Sequence, residues 1–545
     1  MKKSIFIIAW AVAALSAQAQ SWQDALLLSD VNYGGTARSM GMGNALTAVG
    51  SDPGSIVLNP AGSAVAAYSQ FFISPGLSIS ATTAQGMILD GKADPAGLGN
   101  TVHNGYTRLK MPSLGFTIQG DTGRRSGCKR ISFGLVLNST DDYTGKFLSS
   151  GLNYYNSFAG SLASSADGYN KEVLAREEWF YDGERARMPY WTDMIGYRSG
   201  MINAVKGFDN VYQAVTEIQD GDGNFRLAAP VYQEYGQQVY GGKRDLLFNM
   251  ALDFSDRLYL GLNLGFTGLN YQQSEYWFER PNDPSEFPAV KYEDGTSGQF
   301  GDLTMKKSFR LVGSGVYLKA GAIWRPFAGL RLAAAFQTPT VLNLTERCAY
   351  TGRVNMTGKY LSPSASPESE GVYALRTPGR ITLGAAYSFG SVALLSADYE
   401  LADYRANKFY AVSYEGETFE SSLYTSTNND IRDFMGWGHQ LRAGFELRPV
   451  PALALRTGYN YITSPERGAP SRSSVSFGLG YALGPLYADL AVRLRFDPAS
   501  YYTPYYYYAY DDDYTYKYVD EGITTPEVQV TGTLINAMLT LGWRF

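Results

Sequence analysis

The sequence predicts an all-β chain: a transmembrane antiparallel β-barrel of about fourteen strands, with an N-terminal hatch, or plug, of short helices. Three observations predict it. Many segments alternate between apolar and polar residues, the connections between them alternate between short and long, and an export signal is followed by no apolar run long enough for a membrane helix.

The export signal comes first in the chain. Lys2 and Lys3 precede the run SIFIIAWAVAAL, and Ala17-Gln18-Ala19 has the form of a cleavage site, so residues 1–19 read as a signal peptide. No cysteine follows the site, which argues against a lipoprotein. Any later span must be built from strands, which places an exported chain in the outer membrane of a Gram-negative cell.

Composition agrees with this placement. The 545 residues are 14% aromatic and only 18% charged, with 59 Gly and 42 Tyr, material suited to strands and turns. Net charge is -5 and the basic residues are scattered singly, so no nucleic-acid-binding stripe exists. Mean hydropathy is -0.20, which a barrel tolerates because only alternate side chains meet lipid.

The strand pattern is clearest at the C-terminus. Ile535, Ala537, Leu539, Leu541, Trp543 and Phe545 share one parity, while Asn536, Thr540, Gly542 and Arg544 share the other. Similar runs lie near 67-80, 106-119, 130-139, 246-254, 258-278, 305-325, 330-349, 374-389, 391-405, 437-448, 452-463, 473-483, 486-497 and 528-545. Short turns at FSDR, PFAG, FGS, PVPA and LGP interleave with long loops at 81-105, 140-245, 279-304, 350-373, 406-436 and 498-527. Short periplasmic turns and long outer loops are the barrel pattern, and residues 67–545 are assigned to it. The terminal Phe545 is the expected contact for the barrel assembly machinery.

The largest loop, 140–245, is too long to be structureless, and its helical spacings predict an extracellular cap of short helices. The run from Tyr501 to Tyr518 reads as a tyrosine-rich loop near the membrane surface, with ring contacts to a ligand as the rival reading. Cys128 and Cys348 map to opposite ends of the barrel, which opposes a disulfide between them.

Residues 20–66 do not alternate and form the predicted hatch. In SDPGSIVLNP, Asp52 is placed as an N-cap, Pro53 as the first helical residue, and Asn59 is pushed out of the helix by Pro60. Catalytic chemistry is not legible. His103 and His439 are the only histidines and stand in no nucleophile motif. Phosphate-loop and Cys/His metal spacings do not occur, and Asp511-Asp512-Asp513 reads as a solvated loop. The expectation is a chain that is no enzyme and uses no cofactor or metal.

The segment GTARSMGMGNALTAVGSDPGSIVLNPAGSA resembles the N-terminal hatch of the FadL family, through its glycine-spaced Ala-Arg-Ser-Met-Gly stretch and its Asn-Pro-Ala just before the first strand. The resemblance implies a lumen closed by the hatch and a sideways route into the membrane for hydrophobic molecules such as long-chain fatty acids. The outer-membrane lipids would then be a partner. It assigns hatch and gating roles to Asn59, Pro60 and Ala61, and to Gly41 and Gly43. Two alternatives stay open: a shuttle or scaffold for secreted proteins, as in the PorV type, and a porin for polar solutes, suggested by the charged inward parity.

Overall fold

The computed structural model describes residues 20–87, 98–177, 189–221, 223–291, 295–413, 416–506, 509–510, 516–517 and 526–545. Fourteen wall strands follow one another in chain order. They are β1 (Gln70–Met87), β2 (Val102–Asp121), β3 (Cys128–Asp142, continuing as Gly145–Asn153), β4 (Val231–Phe254), β5 (Leu258–Pro281), β6 (Ser297–Phe327) and β7 (Leu330–Gln337 and Val341–Thr357). The second half comprises β8 (Ser369–Arg376 and Arg380–Phe389), β9 (Ala393–Asp403 and Lys408–Val412), β10 (Trp437–Val450), β11 (Leu453–Ile462), β12 (Arg472–Leu483), β13 (Leu486–Phe496) and β14 (Glu527–Arg544). The barrel closes where β14 pairs with β1, placing Phe71 opposite Trp543 and Ile79 opposite Ile535. Closure pairs the first strand with the last, as the membrane demands, where an unpaired backbone group would cost several kcal/mol, about 2–7 each.

The alternation read from the sequence sorts the side chains as expected. On β5, Leu260, Leu262, Leu264 and Phe266 are exposed on the outer face, whereas Tyr259, Asn263 and Thr267 are buried inside. Leu539, Leu541 and Trp543 are exposed on β14, while Asn536 and Thr540 are buried. Trp324, Phe327, Phe389, Trp543 and Phe545 are exposed near the short-turn end, where aromatic rings favour the membrane–water boundary. Among the described residues no helix is long and apolar enough to cross a membrane.

Several strands run farther than the alternation does. β4 begins at Val231, not near 246, and β6 begins at Ser297, not near 305. Above the lipid, the outer face no longer needs to be greasy, so the backbone ladder continues after the sequence pattern has ended. In the first part of β4, Val231, Gln233 and Tyr235 are buried while Glu234 is only half-buried.

The connection between β3 and β4 is therefore 154–230. It contains α-helices Phe158–Ala166, Lys171–Leu174 and Trp191–Arg198 and two small hairpins. The cap is fastened to the wall: Glu279 of β5 accepts the Phe158 and Ala159 N–H groups, which the first helix leaves free at its N-terminus. The Tyr505 hydroxyl accepts from Gln233 at 2.7 Å and Asn153 at 3.1 Å. This part of the tyrosine run is thus a buried anchor; residues 511–513 lie outside the described residues.

Three neighbouring strands are interrupted, β7 at 338–340, β8 at 377–379 and β9 at 404–407. The first two breaks contain Pro339 and Pro378, which cannot donate to a ladder. Beyond the third, helix Thr425–Phe434 replaces a strand neighbour. Its Asn428 side chain accepts the Phe409 N–H at 2.8 Å and donates to the Phe409 carbonyl at 3.1 Å, as a strand would. Cys128 and Cys348 are both free thiols.

The N-terminal segment folds as α1 (Trp22–Ser29), α2 (Ala37–Gly41), α3 (Ser55–Leu58) and a 3-10 turn (Pro60–Val65). Asp52 is not the N-cap of α3, which starts at Ser55 after Gly54. Its carboxylate instead accepts the Thr36 hydroxyl at 2.7 Å and the Gly54 N–H at 2.8 Å, tying two hatch segments together. Asn59 is extended, with φ -143° and ψ 114°, as Pro60 requires.

Candidate functional site: the hatch seat and a gap in the wall

The hatch is seated on glycines of the barrel wall. Gly444, Gly458 and Gly478, on β10 to β12, face Met42, Gly43 and Gly41. A Cβ on Gly458 would stand 2.0 Å from the Gly43 nitrogen, and one on Gly41 would stand 3.1 Å from Gly478 Cα. Gly43 also has φ +62°, which a side chain would strain. Elsewhere on the wall, Gly261 of β5 receives Pro60 and Ala61, and Gly321 of β6 receives Asn59. Added Cβ atoms there would lie 2.4 Å from the Ala61 nitrogen and 2.0 Å from Asn59 Oδ1.

All five residues singled out in the sequence thus sit where hatch backbone meets wall backbone. Asn59 does the most. Its amide donates to the Thr47 carbonyl at 3.0 Å and the Ala322 carbonyl at 3.1 Å, and its Oδ1 accepts the Ala61 N–H at 3.1 Å. One fully buried side chain therefore joins two hatch turns and the wall.

Charged groups complete the seat. Arg38 pairs with Glu446 at 2.9 Å, Glu446 with Arg456 at 2.7 Å, and Arg456 with Asp489 at 2.5 Å. Lys319 donates to the Val57 carbonyl at 2.7 Å, Arg380 to the Ser29 carbonyl at 2.6 Å, and Arg331 to the Val49 carbonyl. Buried charges are costly unless paired in this way, so the chain of pairs fixes the position of the hatch more than it adds stability.

A gap in the wall lies where the hatch meets β3. Pairing of β2 with β3 runs from Asp121 opposite Arg130 to Ser113 opposite Asn138, then stops. The next residue of β2 is Pro112, which has no N–H, and β3 bulges between Ser139 and Asp141. The hatch takes the vacated place. Asn32 N–H donates to the Thr140 carbonyl at 2.7 Å and Gly34 N–H to the Ser139 carbonyl at 2.8 Å, while Gly35 N–H donates to Asn138 Oδ1 at 2.9 Å.

Beyond that point β2 keeps its ladder with β1, and among the described residues it reaches β3 and β4 through side chains. Lys110 pairs with Asp142 at 2.5 Å, Arg108 reaches the Gly241 carbonyl of β4 at 2.6 Å, and Asn104 reaches the Leu148 carbonyl at 3.2 Å. Thr82 of β1 donates to the Lys146 carbonyl at 2.7 Å, which shows the upper half of β3 lying inward across β1 and β2. On the lipid side Leu109 is 75% exposed, the highest value among the outward leucines of the wall.

Around α1 of the hatch lies an apolar cluster. Trp22, Ala25 and Leu28 of α1 pack among Leu269, Tyr271, Leu311, Leu342, Leu344 and Leu375. Trp22 also stacks on Phe434, ring centroids 5.4 Å apart. Beside it, a small open cleft of about 20 Å³ is lined by Asp30, Arg380, Glu400, Tyr404 and His439. Among the described residues no group of three or more His, Cys, Asp or Glu is placed to hold a metal ion.

The sequence alone did not reveal Asn32, Gly34 or Pro112. Two signals were present: a proline inside an alternating run, and glycines recurring at inward positions of β10 to β12.

No family model matches this chain, and no curated protein matches it. Solved structures similar to it include a Pseudomonas aeruginosa FadL homologue, 12% identical over 94% of this chain and 99% of that one, with a TM-score of 0.48. The Pseudomonas putida toluene transporter TodX is 13% identical, with coverage of 94% and 99% and a TM-score of 0.46. The Ralstonia pickettii toluene transporter TbuX is 13% identical, with coverage of 94% and 98% and a TM-score of 0.44. By its own geometry, the chain is a fourteen-stranded transmembrane barrel of the outer-membrane kind, stoppered by its N-terminal segment.

Proposed function

We propose that the barrel is a passive transporter of hydrophobic small molecules, long-chain fatty acids among them, with hatch-gated release sideways into the membrane between β2 and β3. The observation that carries this reading is the backbone pairing of Asn32 and Gly34 with β3 at the point where β2 lets go. Any movement of the hatch there changes the hydrogen bonding of the strand that borders the gap. Sideways release also suits the cargo. A greasy molecule leaving an apolar pocket for water would lose about 25 cal/mol per Å² of apolar surface exposed, and a path into lipid avoids that step.

In this reading Asn59, Pro60, Ala61, Gly41 and Gly43 are the seat on which the hatch moves or holds, and the apolar cluster around α1 opens to take the cargo when the hatch moves. A porin would need an open aqueous lumen, and the seated hatch argues against that use. The test is uptake of radiolabelled oleate by cells in which the chromosomal copy is deleted and replaced by wild type or Pro112→Ala. Restoring an N–H at position 112 lets the β2–β3 ladder lengthen, so uptake is expected to fall severalfold. Uptake that is equal in the deletion strain and the wild type would remove the transport reading.

A further inference from the structure

We propose that the periplasmic mouth of the barrel docks an acidic segment of a periplasmic protein on an arc of basic residues spanning β2 to β7, and that docking acts on the hatch through Arg331. The orientation rests on the barrel reading, with short turns on the periplasmic side; the proposal does not depend on what is transported.

The arc lies along three successive short turns. Arg124, Arg125, Lys129 and Arg130 flank the turn from β2 to β3, Arg257 enters β5, and Arg325 and Arg331 flank the turn from β6 to β7. Against these seven cations stand Asp121, Asp253 and Asp256, a local surplus of four positive charges in a chain whose net charge is -5. Two of the carboxylates are already engaged. Arg130 holds Asp253 at 2.6 Å and Asp256 at 2.8 Å, and Lys129 holds Asp256 at 2.7 Å.

Arg257 and Arg325 are different. Their backbones are joined by a 2.7 Å hydrogen bond from Arg325 N–H to the Arg257 carbonyl, and neither guanidinium has an ion-pair partner among the described residues. Deeper in the lumen four inward arginines, Arg38, Arg380, Arg456 and Arg472, each meet a carboxylate. Other deep cations are engaged by neutral acceptors: Lys319 donates to the Val57 carbonyl, Lys243 to the Leu28 carbonyl and Arg493 to Asn536 Oδ1.

Parity decides between a lipid and a soluble partner. Arg130, Arg325 and Arg331 share the inward parity of buried Ser132, Ile323 and Ala335, whereas the outward neighbours Phe133, Trp324 and Leu332 are exposed to the membrane. The guanidinium groups therefore face the aqueous mouth and not phospholipid headgroups. Carboxylates on a flexible acidic segment match them, because guanidinium forms charge-assisted, often bidentate bonds with carboxylate.

Arg331 connects the arc to the hatch. Its guanidinium donates to the Val49 carbonyl, next to the tight reversal at Gly50 and Ser51, where φ is +64° and +57°. A carboxylate arriving at the mouth competes with that neutral carbonyl for Arg331, and winning it frees the Val49–Ser51 turn.

The experiment uses the full chain in non-ionic detergent and a fluorescent peptide of about ten glutamates, read by polarisation, with amide hydrogen exchange as the second readout. Binding is expected at about 50 mM salt and should weaken about tenfold by about 300 mM. The triple variant Arg257→Glu, Arg325→Glu, Arg331→Glu should lose it, while Arg347→Glu with Arg353→Glu at the opposite rim should retain it. If the triple variant fails to fold, the exposed single change Arg257→Glu should still weaken binding about threefold. In wild type, the peptide should speed exchange at Val49–Ser51. Three results would overturn the proposal: no peptide binding at low salt, equal loss with the outer-rim variant, or binding to phosphatidylglycerol vesicles or murein sacculi in preference to the peptide.

Discussion

At the scale of single residues, Asn59 is the most informative position. Its three hydrogen bonds join Thr47, Ala61 and Ala322, so Asn59→Ala leaves buried backbone groups unmatched. The expected cost is about 1–3 kcal/mol, read as a lower melting temperature in detergent. Gly321→Ala attacks the same contact from the wall, since its Cβ would stand 2.0 Å from Asn59 Oδ1, and a loss of similar size is expected. Unchanged melting in both variants would mean that the hatch is not held there.

Asp167 in the cap gives a pH-dependent prediction at the same scale. Burial pushes its carboxyl from the usual 3.8 up to about 7, and the neighbouring charge of Glu217 adds to the shift. The proton is therefore favoured in the folded cap. Its contribution is complete below about pH 4 and is lost as the pH rises through about 7. Limited proteolysis of the cap should be faster at pH 8 than at pH 5. Asp167→Asn should flatten that dependence, because the amide oxygen can still accept the Tyr212 N–H now held at 2.8 Å.

At the scale of elements, the break between β2 and β3 is local chemistry with a long reach. Pro112 ends the ladder, and the hatch residues Asn32 and Gly34 occupy the carbonyls that β2 leaves free. Hydrogen exchange should therefore be fast on the β3-facing side of residues 102–111 and slow at Asn32 and Gly34. Pro112→Ala should slow exchange in the first group.

The membrane-embedded part of the strands was legible in the sequence because lipid demands apolar side chains on one parity and the polar lumen accepts the other. The extensions of β4 and β6 were not, because above the membrane neither face is constrained by lipid and alternation disappears while hydrogen bonding continues. The seat was legible only from the hatch side. Asn-Pro-Ala announced a turn, but its partners Gly261, Gly321 and Ala322 lie some two hundred and more residues away, and only the closed barrel brings them together.

At the scale of the whole molecule, the barrel divides into a cap fastened by Glu279, an apolar cluster packed around α1, a hatch seated on wall glycines, and a gap bordered by β2 and β3. In the proposed function the hatch and the gap move together. A disulfide between Gly34→Cys and Ser139→Cys tests it most directly, in a chain whose Cys128 and Cys348 are replaced by serine. A Cβ on Gly34 lies 3.3 Å from Ser139 Cβ, close to the spacing a disulfide needs. Oleate uptake should be abolished when the bond is oxidised and restored when it is reduced, with the barrel folded in both states. Full uptake by the oxidised, cross-linked protein would show that transport does not need the hatch to leave β3.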